Sequence, residues 1–321
     1  MPKTALLLIL SLPACSSRPP DPTTDTEGES GSEEDPASGN DAPSGNVHPT
    51  GATGKTSGND SGDSSDDGSS GAAEGQPAAP WSPDPGTSWQ WQLTDSLDTS
   101  ADVMMYDVDL FDVSTDVIDE LHAAGRIVIC YFSAGSHEDW RPDEDEFPPT
   151  TLGQPLDEWP GEHWVDIRHE RIREVMAARL DLARERGCDG VEPDNVDGYA
   201  NDTGFPLAAE DQIDYNRWLA KESHRRELSV GLKNDLDQVD DLVGSFDWAL
   251  NEECLAYDEC DRLRPFVSAG KAVFHVEYVD DPEQGVAKAD EVCPALAGTS
   301  FSTLIKEWDL GAWGIACPGP P

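Results

Sequence analysis

The sequence has few basic residues for its length. Lys and Arg number 21 against 65 Asp and Glu in 321 residues, which gives a formal net charge of −44. This imbalance argues against DNA or RNA as a partner, because phosphate binding requires a basic surface. A strongly negative protein attracts cations and polycations, so we expect a cationic partner.

Motifs for metals and nucleotides are also missing. The seven histidines include no His-x-x-x-His or His-x-His spacing, and no two of the seven cysteines form Cys-x-x-Cys. Such spacings are typical of transition-metal sites. No Walker A motif occurs, and no Gly-x-Gly-x-x-Gly turn follows the first predicted strand. The sequence therefore predicts neither a metal nor another cofactor.

Residues 1–15 are typical of a lipoprotein signal peptide. Lys3 precedes an apolar run from Ala5 to Leu12, which is shorter than the ~20 residues of a membrane-spanning helix. Leu12-Pro13-Ala14-Cys15 resembles the bacterial lipobox, in which the cysteine is lipidated after cleavage. An ordinary signal peptide is the alternative. We expect an extracytoplasmic protein that is lipid-anchored through Cys15 at a bacterial (outer) membrane or cell surface, or secreted.

Residues 16–80 have the composition of a disordered linker. They are rich in Ser, Gly, Asp, Glu and Pro, and they contain 13 acidic residues against Arg18 and Lys55. Such a segment has too little apolar surface to offset the entropy of ordering. The sequence thus predicts one folded domain, residues 81–321, carried on a tether.

Apolar runs alternate with amphipathic helical patterns from Trp81 onward. The predicted strands are 103–106, 127–132, 163–167, 190–192, 229–232, 246–250, 272–278 and 302–306. The predicted helices are 115–124, 170–186, 210–226, 235–243, 262–269 and 285–296. Eight strand–helix repeats in this length favour an α/β fold of the (β/α)8 TIM-barrel type. A doubly wound open sheet is the alternative.

Carboxylates follow most of the predicted strands. In a barrel these strand ends meet at one mouth, where reacting groups lie. Several acids around one mouth suit glycoside hydrolysis, which uses one carboxyl as acid and another as nucleophile or base. An oxygen-ligand Mg²⁺ or Ca²⁺ site is the alternative, although no ligand loop supports it.

Several segments, in order, resemble one enzyme family. They are Tyr106–Asp112, Ile129–Ser136, Asp139–Pro142, Trp164–Arg168, Gly187–Asn195, Gly231–Asn234 and Trp248–Cys254. Together they resemble glycoside hydrolase family 114, the endo-α-1,4-polygalactosaminidase family. The resemblance implies a barrel that cleaves partly deacetylated α-1,4-linked galactosamine polymers. It also implies Asp194 and Glu252 as the catalytic pair, with Glu253 as an alternative to Glu252.

A deacetylated galactosamine polymer is a polycation, which agrees with the acidic composition. We expect Asp107, Asp109, Asp166 and Asp197 to bind its amino groups. The other predicted substrate-binding residues are Tyr131, Trp140, Arg168, Asn195, Lys233 and Glu277. Lys233 is expected to pair with an acid of the site, and the protein is expected to be a monomer.

Six cysteines lie in the predicted domain. Cys254 and Cys260 flank the loop after the predicted sixth strand, and Cys293 and Cys317 could join the last helix to the C-terminal tail; both pairs are possible disulfides. Cys130 and Cys188 lie in or beside buried strands, which indicates packed thiols.

Two other functions remain open from the sequence. A non-catalytic barrel could use the acidic cleft to hold cationic matrix polymer, because fold does not imply function. A deacetylase or other metal-dependent hydrolase is disfavoured by the lack of a histidine cluster.

Overall fold

The computed structural model describes residues 80–157 and 159–319. The signal peptide predicted at 1–15 and nearly all of the linker predicted at 16–80 lie outside these residues. Within the described part, no helix is both long and apolar enough to cross a membrane. The strands are β1 Trp89–Gln92, β2 Met105–Asp109, β3 Ile127–Ser133, β4 Ser136–Glu138, β5 Leu152–Pro155, β6 Glu162–Val165, β7 Gly190–Asp194, β8 Ser229–Lys233, β9 Trp248–Glu252, β10 Val273–Val279, β11 Ser302–Glu307 and β12 Ile315–Ala316. The helices are α1 Thr115–Ala123, α2 Glu170–Arg186, α3 Ala209–Arg225, α4 Val239–Leu242, α5 Arg264–Ser268 and α6 Gly285–Ala295.

Eight parallel strands form the curled main sheet. Their order is β1-β2-β3-β7-β8-β9-β10-β11, and β12 pairs antiparallel with β11. The two ends of the sheet are joined: Trp89 Nε1 donates to Ser302 O at 2.9 Å, and Leu93 N donates to Leu310 O at 3.0 Å. The fold is the predicted (β/α)8 barrel.

Alternating side chains divide the core into an inner and an outer part. The inner part is built from large residues such as Trp91, Met105, Trp248 and Phe274. The outer part lies between the strands and the helices, where residues such as Val128 and Phe132 pack. This alternation follows from the two-residue period of a strand. It also directs every second residue at a strand end toward the mouth of the barrel.

Local signals set the helix boundaries close to their predicted positions. The Ser114 side chain accepts a hydrogen bond from Val117 N and so caps α1. Helix α2 ends at Gly187, whose φ of 93° lies in the left-handed region that glycine adopts at little cost.

One predicted barrel strand is wrong. The segment predicted at 163–167 forms β6, which belongs to a separate antiparallel sheet of order β4-β6-β5. The missing barrel strand is β1, whose sequence Trp-Gln-Trp-Gln has no aliphatic run. Trp89 and Trp91 point into the barrel, and the Gln90 amide donates to Ala312 O at 2.7 Å. The strand is thus a two-residue alternation of aromatic and amide side chains.

Residues 80–157 and 159–319 contain three disulfides. Cys254–Cys260 and Cys293–Cys317 are the two pairings that the sequence suggests. The third, Cys130–Cys188, joins β3 to the segment that follows α2, so the interpretation of these two cysteines as packed thiols is wrong. Strands β3 and β7 are neighbours, because the segment predicted to lie between them is in the other sheet.

Candidate active site

Lys233 lies at the centre of a group of carboxylates at the barrel mouth. Its Nζ is 3.1 Å from Asp194 Oδ1, 3.2 Å from Glu252 Oε2 and 3.1 Å from Glu192 Oε1. These residues lie at the ends of β7, β8 and β9, which are adjacent strands. Burial alone would lower the pKa of Lys233, but the surrounding carboxylates raise it well above its usual value. The ammonium therefore stays charged and holds the acids together.

Two tyrosines and one asparagine complete the hydrogen bonds of the acid pair. Tyr131 donates to Asp194 Oδ2 at 3.1 Å, and Tyr278 donates to Glu252 Oε1. Asn234 Nδ2 donates to Glu252 Oε2 at 3.0 Å. Burial and the nearby carboxylates raise the pKa of both tyrosines well above the usual value, so they remain neutral donors.

The acid pair is both close together and accessible. The side chains of Asp194 and Glu252 are 19 % and 28 % exposed. Because Asp194 Oδ1 and Glu252 Oε2 contact the same nitrogen, they are at most about 6.3 Å apart. The adjacent Glu253 has a φ of 58°, and Glu252 is the one of the two that contacts Lys233.

A second acid pair lies beneath the first. Asp107 and Glu192 are fully buried, and Trp91 Nε1 donates to Glu192 Oε2 at 3.1 Å. Burial raises the pKa of Glu192 to about 7, against the opposing effect of Lys233. Burial, followed by the charge of Glu192, raises the pKa of Asp107 well above its usual value. This inner pair therefore holds a proton near neutral pH.

Asp197 is a further carboxyl beside the pair. Burial and the charge of Asp194 raise its pKa to about 6. The Asn195 side chain does not donate to the acid pair. Instead, its amide donates to Ser133 Oγ at 2.9 Å and to Glu162 Oε1 at 3.3 Å.

Two predicted acids are engaged by arginines. Asp109 forms a two-pronged ion pair with the buried Arg141, at 2.9 and 2.7 Å. Asp166 and Arg168 bind each other, with Arg168 Nε 2.8 Å from Asp166 Oδ1. Hydrogen bonding from Arg168 lowers the pKa of Asp166. None of these side chains contacts the acid pair directly.

Glu277 is turned toward the outer side of β10. Lys288 of α6 lies 3.0 Å from Glu277 Oε2, and His275 Nε2 lies 3.2 Å from Glu277 Oε1. Hydrogen bonds from these two residues, against the effect of burial, lower the pKa of Glu277 to about 2. The other predicted binder, Trp140, is 46 % exposed on the loop after β4.

Sequence reasoning missed several residues of the site. Asn234 lies inside a segment of the family resemblance, and Tyr278 is the inward-facing residue near the end of β10. Trp308 directly follows β11, is 52 % exposed and stacks on Tyr278. Because reacting groups lie where barrel strands end, a search of the residues after the last predicted strand would have found Trp308. No sequence pattern indicated Glu162 as a site residue, because its strand β6 is outside the barrel.

Solved structures share this fold. Ega3 of Aspergillus fumigatus, solved in complex with galactosamine, is 45 % identical in sequence, with a TM-score of 0.70 over 75 % of this chain and 98 % of that one. The glycoside hydrolase domain of PelA from Pseudomonas aeruginosa is 15 % identical, with a TM-score of 0.57 over 71 % of this chain and 97 % of that one. The PelA likeness supports the fold alone.

Sequence comparisons find a relative and a family model that match this chain. An uncharacterized protein of Methanocaldococcus jannaschii, MJ1477, is 34 % identical over 197 residues, which is 52 % of this chain. The match spans 56 % of that relative's length. The family model described as glycoside-hydrolase family GH114 matches residues 70–320. The chain therefore belongs to glycoside-hydrolase family GH114, and it is a glycosidase.

Proposed function

We propose that the protein hydrolyses α-1,4-linked, partly deacetylated galactosamine polymers with Asp194 and Glu252 as its two reacting carboxyls. The observation that carries the proposal is the contact of both acids with Lys233, at 3.1 and 3.2 Å. A single buried cation thus holds two accessible carboxyls facing one mouth. The 45 % identity to Ega3, whose crystals contained galactosamine, supports the amino sugar.

The charge of the cleft suits a cationic sugar. Asp194, Glu252 and Glu192 contact one buried lysine, and the charge of Asp194 acts on Asp197, so the mouth has a surplus of acid. An ammonium group on the sugar would be attracted to these carboxylates, and more strongly at low ionic strength. An N-acetylated sugar lacks this charge, so we expect fully acetylated polymer to be a poorer substrate.

The spacing of the pair favours a retaining mechanism. Retaining glycosidases hold their carboxyls ~5–5.5 Å apart, whereas inverting enzymes leave ~6.5–9.5 Å for a water molecule. The two oxygens that face Lys233 are at most about 6.3 Å apart, which is shorter than the inverting range and so favours the retaining arrangement. One carboxyl would attack the anomeric carbon, and the other would protonate the leaving oxygen and later activate water.

We also propose that the protein is exported, anchored through a lipid on Cys15 and monomeric. The lipobox-like sequence before Cys15 supports the anchor. Three disulfides in the domain support an oxidising compartment, because disulfides are rare in the cytosol. Radiolabelled fatty acid should label the wild type in a bacterial host and fail to label Cys15→Ser.

Reducing-end release from partly deacetylated α-1,4-linked galactosamine polymer tests the reaction. Asp194→Asn and Glu252→Gln should each lower kcat at least ~100-fold, because each removes a reacting group. Asp290→Asn and Glu291→Gln, on the exposed part of α6, make the same chemical changes and should leave the rate unchanged. If the polymer binds but is never cut, the barrel is a polysaccharide-binding module, and the proposal is wrong.

A further inference from the structure

A buried carboxyl lies behind the strand end that carries Asp194. Glu162 is the first residue of β6, and it is only 5 % exposed. The small sheet that contains it is tied to the end of β3, since Val165 N donates to Gly135 O at 3.0 Å. Glu162 is therefore outside the barrel sheet, and from there it contacts Asn195 just after β7.

Two serines and one direct hydrogen bond connect Glu162 to Asn195, the residue after Asp194. Glu162 Oε1 accepts from Ser136 Oγ and, at 3.3 Å, from Asn195 Nδ2. Asn195 Nδ2 also donates to Ser133 Oγ at 2.9 Å, and the two serine hydroxyls are hydrogen-bonded to each other. The cluster of Ser133, Ser136, Glu162 and Asn195 is thus closed on itself.

The backbone of Asp194 is hydrogen-bonded to the residues that follow β3, between Ser133 and Ser136. Asp194 O accepts from Ala134 N at 2.8 Å and from Gly135 N at 3.1 Å. A Cβ on Gly135 would lie 1.7 Å from Asn195 O, so no other residue fits there. Asn195 has a φ of 58°, in the left-handed region that asparagine tolerates better than most residues. Its side-chain hydrogen bonds hold this conformation, and with it the direction of Asp194.

We propose that Glu162 is a positioning residue, which holds Asn195 in place behind Asp194 and acts on Asp194 through its charge without touching the sugar. This inference rests on the proposed function, because it assigns Glu162 a part in the same reaction. Its geometric basis is the closed cluster that ends at the residue next to Asp194.

The electrostatics of the cluster agree with this role. Burial raises the pKa of Glu162 to about 7, which the hydrogen bond from Ser136 opposes. The charged or titratable groups that face Glu162 or its cluster are Tyr131 of β3, Glu138 of β4, Arg141 of the loop after β4, Arg179 of α2 and Asp194 of β7. A group with this pKa gains or loses a charge near neutral pH, which changes the field at Asp194.

Kinetics over a range of pH with the full chain test the inference. Glu162→Gln keeps the acceptor oxygen but removes the charge, so kcat should stay within about threefold of the wild type at its optimum. The limb of the kcat/KM profile above about pH 7, where wild-type Glu162 is charged, should move by about half a unit to lower pH, because that negative charge beside Asp194 is gone. Glu162→Ala also removes the acceptor, and kcat should fall at least about tenfold with KM within about twofold. Glu291→Gln is the matched control.

Two results would overturn the inference. The first is a Glu162→Gln profile that superimposes on the wild-type profile while the wild type cuts the polymer; the proposed function would then stand and only the role of Glu162 would fail. The second result concerns the case in which the wild type is inactive on every polymer, so that the proposed function fails by itself. Carbon NMR titration of the Asp194 carboxyl then replaces kinetics. An identical titration in the wild type and in Glu162→Gln would show that Glu162 does not act on Asp194.

Discussion

The ring of Trp308 lies flat against the ring of Tyr278, with centroids 4.0 Å apart and planes inclined by 17°. The Tyr278 hydroxyl donates to Glu252, so this aromatic pair adjoins one of the two acids. Trp308 is 52 % exposed, and Tyr278 covers one of its faces. The other face is a flat apolar surface beside the acid pair, of the kind on which a sugar ring stacks.

Trp308→Ala should weaken substrate binding. We expect KM for the galactosamine polymer to rise about tenfold, which corresponds to the loss of one aromatic contact, with kcat within about threefold. Trp308→Phe keeps a stacking surface and should stay within about threefold of the wild type in both constants. A large fall in kcat with KM unchanged would contradict this role.

The first product should have the same anomeric configuration as the substrate. Proton NMR of a short α-linked oligosaccharide, recorded before mutarotation, should show the α-anomer at the newly formed reducing end. This follows from the contact of Asp194 and Glu252 with the same nitrogen, which holds one oxygen of each closer together than inverting enzymes hold their carboxyls. Initial formation of the β-anomer would show that the enzyme inverts.

Lys233→Met should abolish activity and destabilise the fold. The change leaves Asp194, Glu252 and Glu192 facing one another without a cation, and it should lower kcat at least ~100-fold. It should also cost about 3 kcal/mol or more of unfolding free energy at pH 8. The loss should shrink at pH 5, where the carboxyls take up protons. Denaturation with urea at both pH values measures the loss. Lys271→Met is the control that keeps activity, because the Lys271 amine donates to Val243 O and Phe246 O and not to the acids.

Stability should decrease as the pH rises from about 4.5 to about 8. Burial raises the pKa of Glu192 and Glu162 to about 7 and that of Asp235 to about 8. Raised pKa values mean that the folded state binds more protons than the unfolded state. The stabilisation from these protons is therefore complete below the ordinary pKa of each group, and it is lost as the pH rises through the raised pKa. Urea denaturation across this range measures the trend. Asp235→Asn should make it shallower, and an unchanged slope would contradict the assignment.

Removing Cys130–Cys188 should destabilise the protein more than removing Cys254–Cys260. The two bridges span 58 and 6 residues, and loop entropy predicts a difference of about 2 kcal/mol in unfolding free energy. Each pair should be changed to alanine together and compared by urea denaturation. Equal losses, or a greater loss for the short bridge, would show that loop entropy does not dominate.

Local patterns in the sequence were sufficient for much of the fold. All six helices lie close to their predicted positions, because apolar periodicity, a cap such as Ser114 and a stop such as Gly187 act over a few residues. Seven of the eight predicted strands are in the barrel for the same reason. The placement of acids at strand ends also follows from the sequence alone, since the end of an apolar run marks the mouth.

Which strands are neighbours was decided only by the tertiary structure. Pairing in a parallel sheet depends on contacts between residues far apart in the chain, which no local pattern encodes. One strand assigned to the wrong sheet therefore hid both β1 and the Cys130–Cys188 bridge. The same rule governs the site. The sequence determined that Asp194, Lys233 and Glu252 end three strands. Only the folded barrel brings those ends around one nitrogen and places Glu162 behind them, because distance in space is set by packing and not by order in the chain.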